Sequence, residues 1–338
     1  MKLMIALYRK LRYQMKLKFD GFIIALIFMI FLAFIFPDVA GFNNGKFLNT
    51  LISVGVALVF FFYGLKLSFT EIKEGMKNWK LHLSVQLFTF TLFPLLVLLF
   101  KPFVHTETQE QFWLSFYFLA ALPSTVTSSV VMVSIARGNV PAAIFNASIS
   151  GLIGVAVTPL LMHFFLEVSK VNVFADLYLG LLFEVILPVI LGLILQPYWG
   201  KWAHKYMKAL SNFDKGVVLL IVYSSFSESF MNNIFSTIGS TYLIALFIGV
   251  IALFFTVYLV ILLLVRYVLK FNREDRITAI FCGSKKSLTH GSVFSKFLFA
   301  NNPNLGLFIL PLMVYHAFQI FVVTIIAQRL GRQKNEEI

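Results

Sequence analysis

The chain has 338 residues, 59% of them hydrophobic, 17% aromatic and only 13% charged, with a net charge of +13 and a mean hydropathy of +0.87. Soluble domains run nearer half apolar and about a quarter charged, so a soluble globular protein is excluded. Cys282 is the only cysteine, which excludes an intrachain disulfide.

The chain begins with a basic, moderately amphipathic stretch, "MKLMIALYRKLRYQMKLKF", and no small-residue cleavage site follows its first apolar run. Residues 1–20 therefore read as a retained cytoplasmic segment lying on the membrane surface. Ten apolar runs follow, near residues 21–36, 48–65, 81–104, 112–136, 140–166, 174–195, 215–235, 240–265, 276–299 and 305–327. About 20 helical residues match a hydrocarbon core of about 30 Å. The expected class is an all-α polytopic membrane protein with ten transmembrane helices. Of the 28 basic residues, 22 fall in residues 2–18, 66–80, 201–215, 266–276 and 329–334 or at Arg137. The opposite loops hold only Lys46, Lys101, Lys170 and Lys296. That bias predicts cytoplasmic N- and C-termini, in a plasma or inner membrane. The basic excess then reports topology and attraction to anionic lipid headgroups, not nucleic acid.

Two spans are interrupted. The fourth contains "ALPSTVTSSVV" (121–131) and the ninth "CGSKKSLTHGS" (282–292), about 160 positions apart. The Pro-bearing turns behind them, "RGNVP" (137–141) and "NNPN" (301–304), keep nearly that offset. The pattern reads as a duplication, with a first repeat over 21–166, a second over 174–327 and a cytoplasmic tail at 328–338. Five spans per repeat is odd, so the second repeat enters the membrane inverted. Inverted repeats with matched broken helices point to the binding site of a secondary transporter. Irregular backbone at membrane depth is tolerated only in protein or along a watery cavity. The plainer alternative is that Pro123 and Gly283 merely kink ordinary packed helices.

Three stretches carry a family resemblance: "GLKLSFTEIKEGMKNWKLHLSVQLFTFTLFPLL" (64–96), "PSTVTSSVVMVSIARGNVPAAIFNASISGLIGVAVTPLL" (123–161) and "FCGSKKSLTHG" (281–291). They resemble the bile acid:sodium symporter superfamily, and more closely its SBF-like branch. That branch includes vertebrate solute carrier family ten member seven and a yeast regulator of calcium uptake. The resemblance implies a panel domain (spans 1, 2, 6 and 7) and a core domain (spans 3–5 and 8–10). Helices 4 and 9 would cross at unwound centres, and core would move against panel for alternating access. It also implies ion ligands: a Ser-Asn pair falling here on Ser128 and Ser129, span-5 polar groups near Asn146 and Ser148, and a span-3 glutamine at Gln86. The chain departs from the pattern at span 9. Where the sodium-coupled relatives show Glu-x-Gly-x-Gln-Asn, it has Cys282, Gly283, Ser284, Lys285, Lys286 and Ser287. The sodium-binding glutamate is gone, and a lysine replaces the glutamine.

A mid-membrane lysine costs about 2.5–3.5 kcal/mol on insertion scales. Adjacent lysines on a helix point about 100° apart, so the two need not share a role. The functional expectation is that one ammonium, Lys286 in the first instance, occupies the ion cavity and contacts Ser128, Ser129, Asn146 or broken-helix carbonyls. It would then stand in for sodium, or load and release a coupling proton. The alternative places both lysines in a solvated vestibule. Candidate binding residues are Gln86, Thr127, Ser128, Ser129, Asn146, Ser148, Ser284, Lys285, Lys286, Ser287 and Glu228, the last on a polar face of span 7. Glu184 is a second intramembrane carboxylate, and the alternative for both acids is a structural pair. His163, His290 and His316 show no metal-ligand spacing and read as packed histidines, with His290 kept open by its place beside the break. No resident cofactor is expected; sodium and the proton are the candidate coupling ions. The expected function is secondary transport of a small organic anion, because half-helix N-termini and an ammonium both favour negative charge. Two alternatives stay open: a membrane regulator of calcium or envelope homeostasis with little flux, and a sodium symporter with altered ligands. A serine hydrolase is disfavoured, since no Gly-x-Ser-x-Gly elbow occurs.

Overall fold

A computed structural model describes residues 21–39, 46–67, 78–166, 180, 182–231, 240–299, 302 and 304–336. The expected surface segment 1–20 lies outside these residues, as do Lys170 and the start of the sixth span. Among the described residues the chain is helical and has no strand.

Helices α1 (Gly21–Ile35) and α2 (Lys46–Lys66) come first. Helix α3 starts as Trp79–Leu87, passes through a π-helical turn at Phe88–Leu92 and continues as Phe93–Leu98. The fourth expected span is two helices, α4 (Glu107–Ala121) and α5 (Thr127–Ile135), and α6 is Val140–His163. Helix α7 runs from a π-helical turn at Leu182–Ile186 through Leu187–Lys205, and α8 is Met207–Met231. Helix α9 is Ser240–Leu263 with a final π-helical turn, Leu264–Val268. The ninth expected span is again two helices, α10 (Arg273–Gly283) and α11 (Leu288–Leu298), followed by α12 (Leu305–Glu336). Helix α12 outlasts its expected end at residue 327, because "AQRLGRQKNE" holds no proline and is rich in good helix formers.

Six of these segments are long and apolar enough to cross a membrane, and α1 is a shorter apolar helix. Phe31, Ile194, Ile248, Leu259 and Leu263 are exposed. In water so much exposed apolar surface would drive aggregation; against lipid it is at home.

The helices pack as two groups. Helices α1, α2, α7 and α8 pack on one another, while α3–α6 and α9–α12 pack together; α8 against α11 and α12 is the main junction. The α2–α7 pair crosses closely, and glycine makes it possible. A Cβ on Gly64 would lie 2.3 Å from the Val189 carbonyl oxygen, and one on Gly192 would lie 2.2 Å from that of Phe61. Small residues let helix backbones approach this closely in membranes.

Candidate functional site: the crossing of two broken helices

The breaks have local causes. Pro123 disfavours helical geometry at the residue before it, and Leu122 is extended at φ −76°, ψ 152°. Helix α4 therefore stops at Ala121 and leaves its last carbonyls without helical partners. Helix α10 ends at Gly283, and Ser287 caps α11 by accepting from the His290 N–H at 3.3 Å. The breaks are bonded to each other. The Ser287 N–H donates to Pro123 O at 2.9 Å, and Ser124 Oγ donates to Cys282 O at 2.6 Å. Ser150 Oγ accepts from the Ser124 N–H at 3.0 Å, and Thr158 Oγ1 donates to Ala121 O at 2.7 Å. Side chains thus replace the water that the hydrocarbon core lacks.

Both lysines are fully buried, at 0% exposure, which excludes the solvated vestibule. They are held very differently. Lys286 Nζ donates to three carbonyl oxygens: Thr89 at 2.8 Å, Ala120 at 2.6 Å and Leu122 at 2.8 Å. It also lies 4.1 Å from the centre of the Phe93 ring, a cation–π distance. Two of the carbonyls are the orphans at the end of α4, whose dipole favours a cation there. The third is orphaned by the π-turn of α3. The Phe93 N–H, which would reach Thr89 O in an α-helix, reaches back to Phe88 O. Pro94, next in register, has no N–H to give. The ammonium's three donors are all used. Its backbone is clamped as well: the Lys286 N–H donates to Gln319 Oε1 at 2.9 Å, and Gln319 Nε2 donates to Lys286 O at 2.8 Å.

Lys285 has one hydrogen bond among the described side chains, to Ser128 Oγ at 3.3 Å. Around it Thr125 Oγ1 shares hydrogen bonds with Ser128 Oγ at 2.8 Å and Ser129 Oγ at 2.9 Å. This hydroxyl cluster opens α5, so Lys285 sits at the positive end of a helix dipole. The arrangement suits an anion between ammonium and helix N-terminus. Thus Lys285, not Lys286, is the lysine that meets Ser128, while Lys286 takes the broken-helix carbonyls.

The other expected residues distribute around this pair. Gln86 Nε2 lies 3.3 Å from Asn146 O and 3.4 Å from its Oδ1, with Gln86 Oε1 buried and without a partner among the described residues. The Ser148 carbonyl accepts from Tyr63 OH, and α2 meets α6 there. The Ser284 carbonyl accepts from Tyr315 OH at 2.7 Å, and its hydroxyl is buried without a partner among the described residues. The side chain of Thr127 lies outside the described residues. Glu228 is on α8, in the other helix group, partly buried. His290 shares a hydrogen bond with Ser287 Oγ at 3.0 Å and is ringed by Phe60, Tyr63 and Phe294. His316 shares one with Gln319 at 3.1 Å. No cluster of metal-ligating side chains occurs among the described residues.

Sequence reasoning missed Gln319, Phe93, Ser124 and Ser150. The signals were present: a lone glutamine inside an apolar span, and "FP" in the middle of another. It also missed that Lys296 Nζ joins the two helix groups, donating to Glu184 Oε2 at 3.0 Å and Ser53 Oγ at 2.6 Å.

Comparison with known sequences gives this architecture its family. The sequence model of the SBF-like CPA transporter family matches residues 20–332. The chain belongs to that family. It is 36% identical over 318 residues to an uncharacterized protein of Pseudomonas aeruginosa and 35% identical over 318 residues to the putative symporter YfeH of Escherichia coli; both alignments cover 94% of each chain. It is 32% identical over 328 residues to the sodium/bile acid cotransporter 7 of Xenopus tropicalis, covering 94% of this chain and 95% of the relative. The SBF-like protein is accordingly a multi-pass membrane transporter and not an enzyme.

Proposed function

We propose that this SBF-like protein is a secondary transporter of a small organic anion, working by alternating access with a resident lysine in place of a coupling sodium. In this reading the ten spans form two inverted five-helix repeats. Helices α1, α2, α7 and α8 are the panel, and α3–α6 with α9–α12 are the core. The α4–α5 and α10–α11 breaks are the crossing at which sodium-coupled transporters of this superfamily hold their ion.

One observation carries the proposal. The Lys286 ammonium is ligated by three backbone carbonyls at the crossing, an oxygen environment of the kind a bound cation would occupy. A covalently attached charge there cannot dissociate during the cycle, so it supplies structure without coupling. Lys285, with a single hydrogen bond among the described side chains, to Ser128, is left to hold the substrate's anionic group or to carry a proton.

The test is a thermal-shift screen of small carboxylates and sulfonates on purified protein, bile acids included because a relative is named for them. At least one anion should stabilise the protein equally in sodium and potassium buffers, and Lys285→Gln should abolish that effect. Stabilisation that requires sodium would contradict the proposal.

A further inference from the structure

The outer face of the second helix group carries a cavity of about 360 Å³, lined by α9, α10 and the end of α12. Its size lies within the roughly 300–1,000 Å³ of small-molecule sites. None of its lining residues belongs to α1, α2, α7 or α8, so it lies apart from the junction between the groups. Its wall is apolar, with Leu262, Ile277 and Ile280 prominent, and its polar lining is Arg266, Arg273 and Arg276.

The first turn of α10 carries Glu274 and Asp275 beside Arg273 and Arg276. Among the described residues no carboxylate lies within ion-pair distance of them. Asp275, in the same turn, is taken up by the side-chain amides of Asn78, Asn139 and Asn272 at 2.8–3.1 Å. Arg273 Nη2 donates to Leu330 O at 2.6 Å, while its Nη1 is buried and has no partner among the described residues. Arg273 and Arg276 also occupy the first turn of α10, where the helix dipole repels cations and attracts anions. Three guanidiniums thus line a cavity with an apolar wall beside the N-terminal end of α10. On the same helix as the wall, Leu259, Leu263 and Tyr267 are exposed, so the apolar side of the cavity adjoins the lipid-facing surface.

We infer that this cavity is a binding site for an anionic phospholipid of the leaflet to which the basic-residue count assigns the cytoplasm. The phosphodiester sits among the arginines, where guanidinium matches phosphate oxygens two at a time. An acyl chain follows Leu262 and Ile277 into the bilayer. The lipid would brace the end of α12 against α10, the contact that Arg273 makes through Leu330.

Lipid binding is measured apart from any substrate or coupling ion, so failure here leaves the transport proposal untouched. Delipidated full-length protein in neutral-detergent micelles would be titrated with phosphatidylglycerol, with phosphatidylcholine and with inorganic phosphate, following the unfolding temperature. Phosphatidylglycerol should stabilise saturably, with half-saturation at a mole fraction at least about fivefold lower than for phosphatidylcholine. Arg266→Gln with Arg276→Gln, leaving Arg273 to brace α12, should weaken it about tenfold or more, from the contribution of each basic residue to anionic-lipid binding. Lys201→Gln with Lys205→Gln, an equal charge loss elsewhere, should leave it unchanged. Equal response to the two lipids, or equal loss in both double variants, would overturn the site. Stabilisation by inorganic phosphate that is lost in the arginine double variant, with none by phosphatidylglycerol, would overturn the lipid as its occupant.

Discussion

Lys286 Nζ lies 2.6 Å from the carbonyl oxygen of Ala120, a residue 166 positions earlier in the chain. A lysine of the second broken helix thereby caps the carbonyls that Pro123 frees in the first, as a charged C-cap delivered from another segment. The two breaks are consequently one structural unit.

Replacing Lys286 by Met keeps the apolar stem but strands the Thr89, Ala120 and Leu122 carbonyls. Each buried unsatisfied group costs about 1–3 kcal/mol, and partial relaxation makes the three less than additive. A loss of about 2–5 kcal/mol is expected, read as a lowered unfolding temperature in detergent.

Lys285→Met should behave in the opposite way. It removes a buried charge with one hydrogen bond, and such replacements are often neutral or stabilising. The unfolding temperature should stay or rise, while stabilisation by any anion ligand is lost. A drop as large as that of Lys286→Met would show Lys285 to be structural.

Lys296 bridges α11 to Glu184 on α7 and Ser53 on α2, so relative movement of the two helix groups at that end must break it. The pair is about a quarter exposed, at 22% and 26%, and should contribute about 1 kcal/mol or less. Glu184→Gln should cost little stability yet increase labelling of a cysteine placed at Ser53. Unchanged labelling would remove the bridge as a latch.

Gly192→Ala places a methyl group 2.2 Å from Phe61 O. Backbone cannot give way as a flexible side chain can, so α2 and α7 must separate. A loss of several kcal/mol, or failure to fold, is expected, whereas Gly216→Ala, which meets nothing within 4 Å, should be tolerated.

The sequence makes legible the features that depend on composition and local chemistry. Hydropathy locates the apolar segments, Pro123 and the Gly283-Ser284 step locate the breaks, and "FCGSKKSLTH" draws attention to the lysines. What it cannot show is which lysine turns where. That depends on two carbonyls at the end of α4 and on Thr89 O, freed only by a π-turn whose register no local pattern announces. The Lys296–Glu184 bridge, 112 positions apart, and the arginine cavity, built by α9, α10 and α12 together, are likewise products of packing. Adjacent residues with identical side chains reach opposite surroundings because the break turns one toward α4's C-terminal end and the other toward α5's N-terminal end.

On the proposed reading, Lys286 stands where a coupling cation would bind. Equilibrium binding of sodium-22 to the purified, detergent-solubilised protein tests it most directly, with Lys286→Gln measured alongside. No saturable sodium binding by the native chain is expected, with sodium binding gained when the ammonium is removed. Saturable sodium binding by the native chain would contradict it, returning this transporter to sodium coupling through other ligands.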